Sequence, residues 1–172
     1  MFEPLLSFAN APGYLSGSDM IAPSAVRLFE RSRNKARWKK IFGRLHGELR
    51  RLEQLECFQS VVRLSGRHAE GVRAVALDQI QGSVDGAATF DRDFYPMSDR
   101  TQSRWVRVAT AIMRGEPLPP VELIQVGDRY FVVDGHHRIS VARVLKYTHI
   151  DAVVTVWEVS SKGDSGGCNS RR

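Results

Sequence analysis

The chain has 172 residues and a formal net charge of +6, with 42% hydrophobic and 26% charged residues. That composition belongs to a soluble globular chain large enough for a real core, and it excludes a disordered or fibrous class. No apolar run nears the ~20 residues of a bilayer span, no basic-then-apolar leader opens the sequence, and Cys57 and Cys168 lie far apart, so we expect a reduced, cytoplasmic protein with no membrane partner.

Residues 1–23 hold Pro4, Pro12, Gly13, Gly17 and Pro23 with little periodicity and read as an irregular arm. Ser24 is placed to cap a helix that opens a basic helical segment over 24–71. Trp38, Ile41, Phe42, Leu45, Leu49, Leu52 and Leu55 recur at the spacing of one buried helical face, with Gly43 and Gly47 able to split the helix in two. Between Ser24 and Glu56, ten cations against four carboxylates leave +6, so the rest of the chain is formally neutral. At roughly 100° per residue, Arg33, Arg37, Lys40, Arg44 and Arg51 form a stripe about a quarter-turn from the apolar one. Charge concentrated on one element argues for a local acidic partner.

Beyond Val72 the texture changes. Val72 to Leu77 reads as a short strand, followed by Asp78-Gln79-Ile80 and a loop with Gly82, Ser83 and Gly86. Phe90 to Pro96 is polar-aromatic loop, in which Asp91 and Asp93 are candidates for a metal or a substrate hydroxyl, with solvated loop carboxylates the alternative. Asp99 can cap a helix whose core face is Trp105, Val108, Ala109 and Ile112, ended by Gly115 and Pro117. A strand Val121 to Val126, a Gly127-Asp128 turn and a returning strand Arg129 to Val133 form a hairpin. A helix over Ile139 to Leu145 and a strand over Ile150 to Val159 complete the domain, and residues 160–172 read as a disordered tail.

The stretch Asp134-Gly135-His136-His137-Arg138 joins strand to helix, and that geometry aims unpaired N–H groups and the positive end of a helix dipole at one point. Two imidazoles and a guanidinium there suit a phosphate. Arg138 is the leading candidate for phosphate contact, against a salt bridge to Asp134 or Asp151. His136 and His137 can donate to phosphate oxygens or serve as general acid and base. Asp134 is a candidate catalytic or Mg²⁺-binding carboxylate, with capping of the helix as the alternative. Ser140 and Asp78 are further candidates for the nucleotide, with a plain helix position the alternative for Ser140 and capping of the next turn the alternative for Asp78. His46, His68, His136, His137, His149 and the two cysteines lack zinc-site spacing, so no resident metal is expected.

The order of these elements, with Val75 to Ile80, Leu118-Pro119-Pro120-Val121-Glu122-Leu123 and Gly135-His136-His137-Arg138 in sequence, resembles the ParB/sulfiredoxin-like superfamily over residues 72–159. The resemblance implies an α+β fold: a small mixed sheet with packed helices, here preceded by a basic helical segment. It also implies that Gly135 to Arg138 holds nucleotide phosphates. His136 stands where sulfiredoxins have their catalytic cysteine, so sulfiredoxin chemistry is not expected. Nor is a full partition ParB, whose DNA-binding and dimerisation domains would follow the last strand.

These readings converge on a ParB-like nucleotide- or phosphate-binding protein that associates with DNA, without sequence preference, through Arg33, Arg37, Lys40, Arg44 and Arg51. Mg²⁺ with a nucleoside triphosphate, ATP or CTP, is the cofactor such a protein would use. Weak nucleotide hydrolysis or nuclease activity fits the resemblance. The alternatives are a small-molecule kinase of the free-serine type using the same turn, and a binding protein without catalysis.

Overall fold

Alternating apolar residues at Val121, Leu123, Tyr130 and Val132 commit two segments to a hairpin, and the rest of the molecule is built around it. The computed structural model describes residues 18–45, 52–55, 63–85 and 89–160. The hairpin is β4 (Val121–Val126) and β5 (Arg129–Asp134), reversed at Gly127, whose φ of +59° suits a residue without a side chain. On one side β5 pairs in parallel with β3 (Ile80–Ser83), which pairs in parallel with the two-residue β1 (Glu53–Gln54). On the other side β4 pairs in parallel with β6 (His149–Ser160), and β6 pairs antiparallel with the long β2 (Arg63–Ala76). The spatial order is β1-β3-β5-β4-β6-β2. The α+β class and mixed sheet expected from the sequence are what the chain forms.

Among the described residues, three helices cover one face of this sheet: α1 (Ser18–Leu45), α2 (Gln102–Met113) and α3 (His136–Val144). Between them and the sheet lies the main core, with Phe29, Trp105, Ile139, Val121, Val132 and Val154 among its fully buried members. Trp105, Ala109 and Ile112 form the buried face of α2, with Val108 half-buried beside them, as their spacing requires. The opposite face carries a smaller cluster of Leu55, Ile124, Val126, Phe131 and Trp157. Successive side chains of β4 and β5 point to opposite faces, so Val121, Leu123, Tyr130 and Val132 enter the main core while Ile124, Val126 and Phe131 enter the smaller cluster.

The N-terminal half departs from the sequence reading in three ways. The helix begins at Ser18 and carries Pro23 inside it, so Ser24 is no cap: its hydroxyl donates to Met20 O at 2.7 Å. The helix ends at Leu45, and residues 53–54 and 63–71, expected within the helical segment, are strands. The third departure is the helical face. α1 buries Ala25, Phe29, Ser32 and Ala36, whereas Trp38, Ile41 and Phe42 are each more than half exposed. Three small residues around one phenylalanine let α1 lie close against α2, with Phe29 edge-on to Trp105 at 5.6 Å. Leu52 and Leu55 are buried, but off the helix and in the two different clusters. The strand expected at Val72 starts at Arg63, and Gly82-Ser83, expected in a loop, is the end of β3. Ser98 rather than Asp99 caps the turn into α2, its hydroxyl accepting from Arg100 N at 3.3 Å. Residues 1–17 and 161–172, with Leu49, Arg51, Cys57 and Cys168, lie outside the described residues.

Candidate functional site

The β5–α3 junction turns on Gly135. Its φ is +106°, a conformation that an L side chain resists, and a Cβ there would stand 2.5 Å from Val121 Cγ1. Only glycine lets α3 start directly over the hairpin. No side chain caps the helix, so Asp134 does not have the capping role considered for it. The first N–H groups of α3, at His136, His137 and Arg138, lie before the first intrahelical bond, Ile139 N to Gly135 O at 3.0 Å.

The basic side chains of the turn are held by the fold. Arg138 Nη1 donates to the carbonyls of Pro119 at 2.5 Å and Pro120 at 2.8 Å, while Nη2 meets Asp134 Oδ2 at 2.5 Å. The guanidinium therefore clasps the Pro-Pro approach to β4, and the salt-bridge alternative raised by the sequence is the one formed. His136 Nε2 lies 2.7 Å from Ser83 Oγ, and its ring stacks on Phe90 with centroids 6.1 Å apart. The register of β3 on β5 makes this pair possible, because Ser83 lies beside Val132, four residues before the histidine. His137 meets the same Phe90 edge-on at 5.2 Å, and its Nε2 is buried without a hydrogen-bond partner. Both imidazoles thus turn towards Phe90.

Burial sets the charge of these rings. It lowers the pKa of His136, and it takes His137 down to about 4, assisted by Arg104 and by His136 itself. Both are neutral near pH 7, so neither brings a positive charge to a phosphate. A serine 2.7 Å from an imidazole suggests a nucleophile with its base. Ser83 is fully buried, however, and its hydroxyl also lies 3.3 Å from Val132 O. No substrate atom reaches it; the hydroxyl orients His136 instead.

The remaining candidates are dispersed. Ser140 is fully buried and accepts a hydrogen bond from Trp105 Nε1 at 2.8 Å, which corrects its assignment to the phosphate: it locks α3 to α2. Asp78 is exposed in a single 3-10 turn, Leu77–Gln79, between β2 and β3. On α1, Arg33 is ion-paired with Asp99 and so leaves the proposed cationic stripe. Arg37 and Lys40 are exposed. Arg44 belongs to the helix but its side chain lies outside the description, as does Arg51 altogether.

Three groups near the turn escaped the sequence reading. Arg143 donates to the carbonyls of Leu77 and, at 2.7 Å, Ile80, tying the 3-10 turn to α3. Ser83 is the second, and Phe90, which unites the two histidines, is the third. Asp91 was singled out, but as a solvated or metal-binding residue. It is instead buried, with Oδ1 accepting from the N–H groups of Asp93 at 3.0 Å and Tyr95 at 2.8 Å. These bonds hold the loop in which Phe94, fully buried, takes a φ of +61°. Asp91 Oδ2 has no partner, and burial raises the pKa of the carboxyl. Asp93 is ion-paired with Lys39 at 2.5 Å.

Among the described residues no group of three or more His, Cys, Asp or Glu can hold a metal ion. Asp134 is a carboxylate next to the turn, and its Oδ2 is paired with Arg138. Nor is any described helix long and apolar enough to cross a membrane.

Among solved structures, a sulfiredoxin from Arabidopsis thaliana is similar to this chain: 17% identical over 48% of this chain and 82% of that one, with a TM-score of 0.37. A likeness at that level brings none of its chemistry here. No family model matches the chain, and no curated protein matches it.

Proposed function

We propose that this protein binds a phosphate-bearing small molecule, a nucleotide, on the first turn of α3, and associates with DNA through the outward cations of α1. The observation that carries the first half is the uncapped α3 N-terminus, fixed by Gly135 against Val121. Its amides need an external acceptor, and an anion satisfies them and the helix dipole together. Arg138 contributes less than its position suggests, because Nη1 is committed to two carbonyls and a phosphate must compete with Asp134 for Nη2. The DNA half is supported by Arg27, Arg31, Arg37 and Lys40, which are exposed and carry no ion pair among the described residues.

One observation favours phosphoryl transfer as a second reading. His136 is kept neutral by burial and oriented by Ser83, as a general base for a hydroxyl or a water requires.

Calorimetry with ATP, ADP, CTP, GTP and inorganic phosphate, each with and without Mg²⁺, tests the binding site. Asp134→Asn removes the competing carboxylate and should tighten metal-free binding several-fold. A loss of affinity in that variant, or no binding by any of these anions, refutes the site as drawn. Product analysis on the parent and on His136→Gln separates binding from turnover. For the DNA half, a mobility-shift titration at low salt should show sequence-tolerant binding, with log K falling by about 3.6 per decade of salt for about four phosphate contacts on a duplex.

A further inference from the structure

The outermost stripe of α1 has no place in the core. Trp38 is 60% exposed, Ile41 53% and Phe42 55%, on a helix whose buried face is Ala25, Phe29, Ser32 and Ala36. At roughly 100° per residue, Trp38 lies opposite that buried face, and Arg27 and Arg31 fall within about 20° of Trp38. Arg27 stands about 16 Å along the axis from Trp38, at 1.5 Å per residue. The Trp38 and Phe42 rings stack on each other, with centroids 6.0 Å apart and planes 27° from parallel. The helix thus presents an aromatic step at one end and the guanidinium groups of Arg27 and Arg31 on the same stripe, with Arg37 exposed on its flank and Lys40 exposed on the far side.

We propose that this stripe is a docking face for single-stranded nucleic acid, in which an unpaired base stacks on Trp38, supported from behind by Phe42, while Arg27, Arg31 and Arg37 follow the phosphates. The inference rests on the nucleic-acid half of the function proposed above and narrows its substrate class. A duplex hides the faces of its bases and has no use for an exposed indole, whereas a single strand offers a π-face at every nucleotide. A second copy of this chain would bring like charges together. An anionic bilayer shares the electrostatic attraction, but an interfacial helix needs a continuous apolar face. Here Met20, 61% exposed at the N-terminal end, lies on the same stripe as Trp38, but Arg27 and Arg31 stand between them, so the apolar face is interrupted.

Fluorescence anisotropy of a labelled oligothymidylate of about 15 nucleotides, a duplex of equal length and phosphatidylserine vesicles tests the proposal, with the full chain and each variant first matched by circular dichroism. The single strand should bind more tightly than the duplex. Trp38→Ala should weaken it at least about fivefold, and Trp38→Phe should retain most of the affinity. Arg27→Ala with Arg31→Ala should flatten the salt slope by about 1.4. Equal binding of both DNA forms, untouched by Trp38→Ala, overturns the single-strand face and leaves the DNA association standing. Binding to neither form overturns both, and binding to vesicles alone reassigns the stripe to a membrane surface.

Discussion

The first turn of α3 and the outward stripe of α1 are both basic, and they differ in where the charges go. At the turn, Arg138 is held by Asp134 and two carbonyls, Arg143 by two further carbonyls, and both histidines are half-buried and neutral near pH 7. On α1, Arg27, Arg31, Arg37 and Lys40 stand in water without an ion pair among the described residues. The short motif that looks most functional in the sequence is therefore a structural joint whose side chains serve the fold, and what it offers a ligand is backbone. The helix that looks like a charged appendage keeps its side chains available. Clustered cations point to a partner only after those with internal acceptors have been set aside.

The largest effect expected from breaking this contrast is at the joint itself. Gly135→Ala adds a Cβ against Val121 in a backbone conformation an alanine resists, at about 1–3 kcal/mol for strain and about 1–3 more for overpacking. Urea unfolding should show a marginal or unfolded protein, and a parent-like midpoint would mean that β5 and α3 join differently.

Next comes a comparison of the two faces of α1. Phe29→Ala should cost about 3–5 kcal/mol, since it empties a fully buried site against Trp105, whereas Trp38→Ala should stay within about 0.5 kcal/mol of the parent. Equal losses would show that α1 is rotated from the orientation described.

A third pair sharpens the contrast between committed and available cations. Arg138→Ala should destabilise by about 1.5–3 kcal/mol, the scale of hydrogen bonds to a charged group, while Arg37→Ala should be nearly neutral. A neutral Arg138→Ala would break the clasp on the Pro-Pro segment.

The smallest effect is a pH dependence. His137 has a folded pKa of about 4 against an ordinary 6.5, so the unfolded chain takes up a proton in that interval before the folded one does. Stability from the neutral ring is complete above about pH 6.5, falls as the pH drops and levels off below about pH 4. His137→Phe should flatten that limb of the stability profile, measured by urea unfolding at a series of pH values. Asp91 runs in the opposite sense: its raised pKa means stability present at low pH and lost as the pH rises through the folded value. Asp91→Asn keeps an oxygen for the N–H groups of Asp93 and Tyr95 and removes the charge from the buried, unpartnered Oδ2, so it should stabilise the protein at neutral pH.

Local chemistry was enough to write the C-terminal half from the sequence. Strand alternation, Gly127 in its turn, the i, i+3, i+4, i+7 face of Trp105 to Ile112 and the Gly135 junction each follow from a few neighbouring residues, and each is present. The N-terminal half could not be read this way. Trp38, Ile41 and Phe42 carry the greater hydrophobicity, yet α1 buries Ala25, Phe29, Ser32 and Ala36, because the closeness of α2 and the shape of Trp105 select small residues around one ring. Likewise the sequence located Arg138, His136 and Ser140 but not these hydrogen-bond partners, since Pro119, Ser83 and Trp105 lie 19, 53 and 35 residues away. Which residues form an element is a matter of local periodicity; which face it buries, and which charges stay in water, depends on partners that only the folded chain brings together.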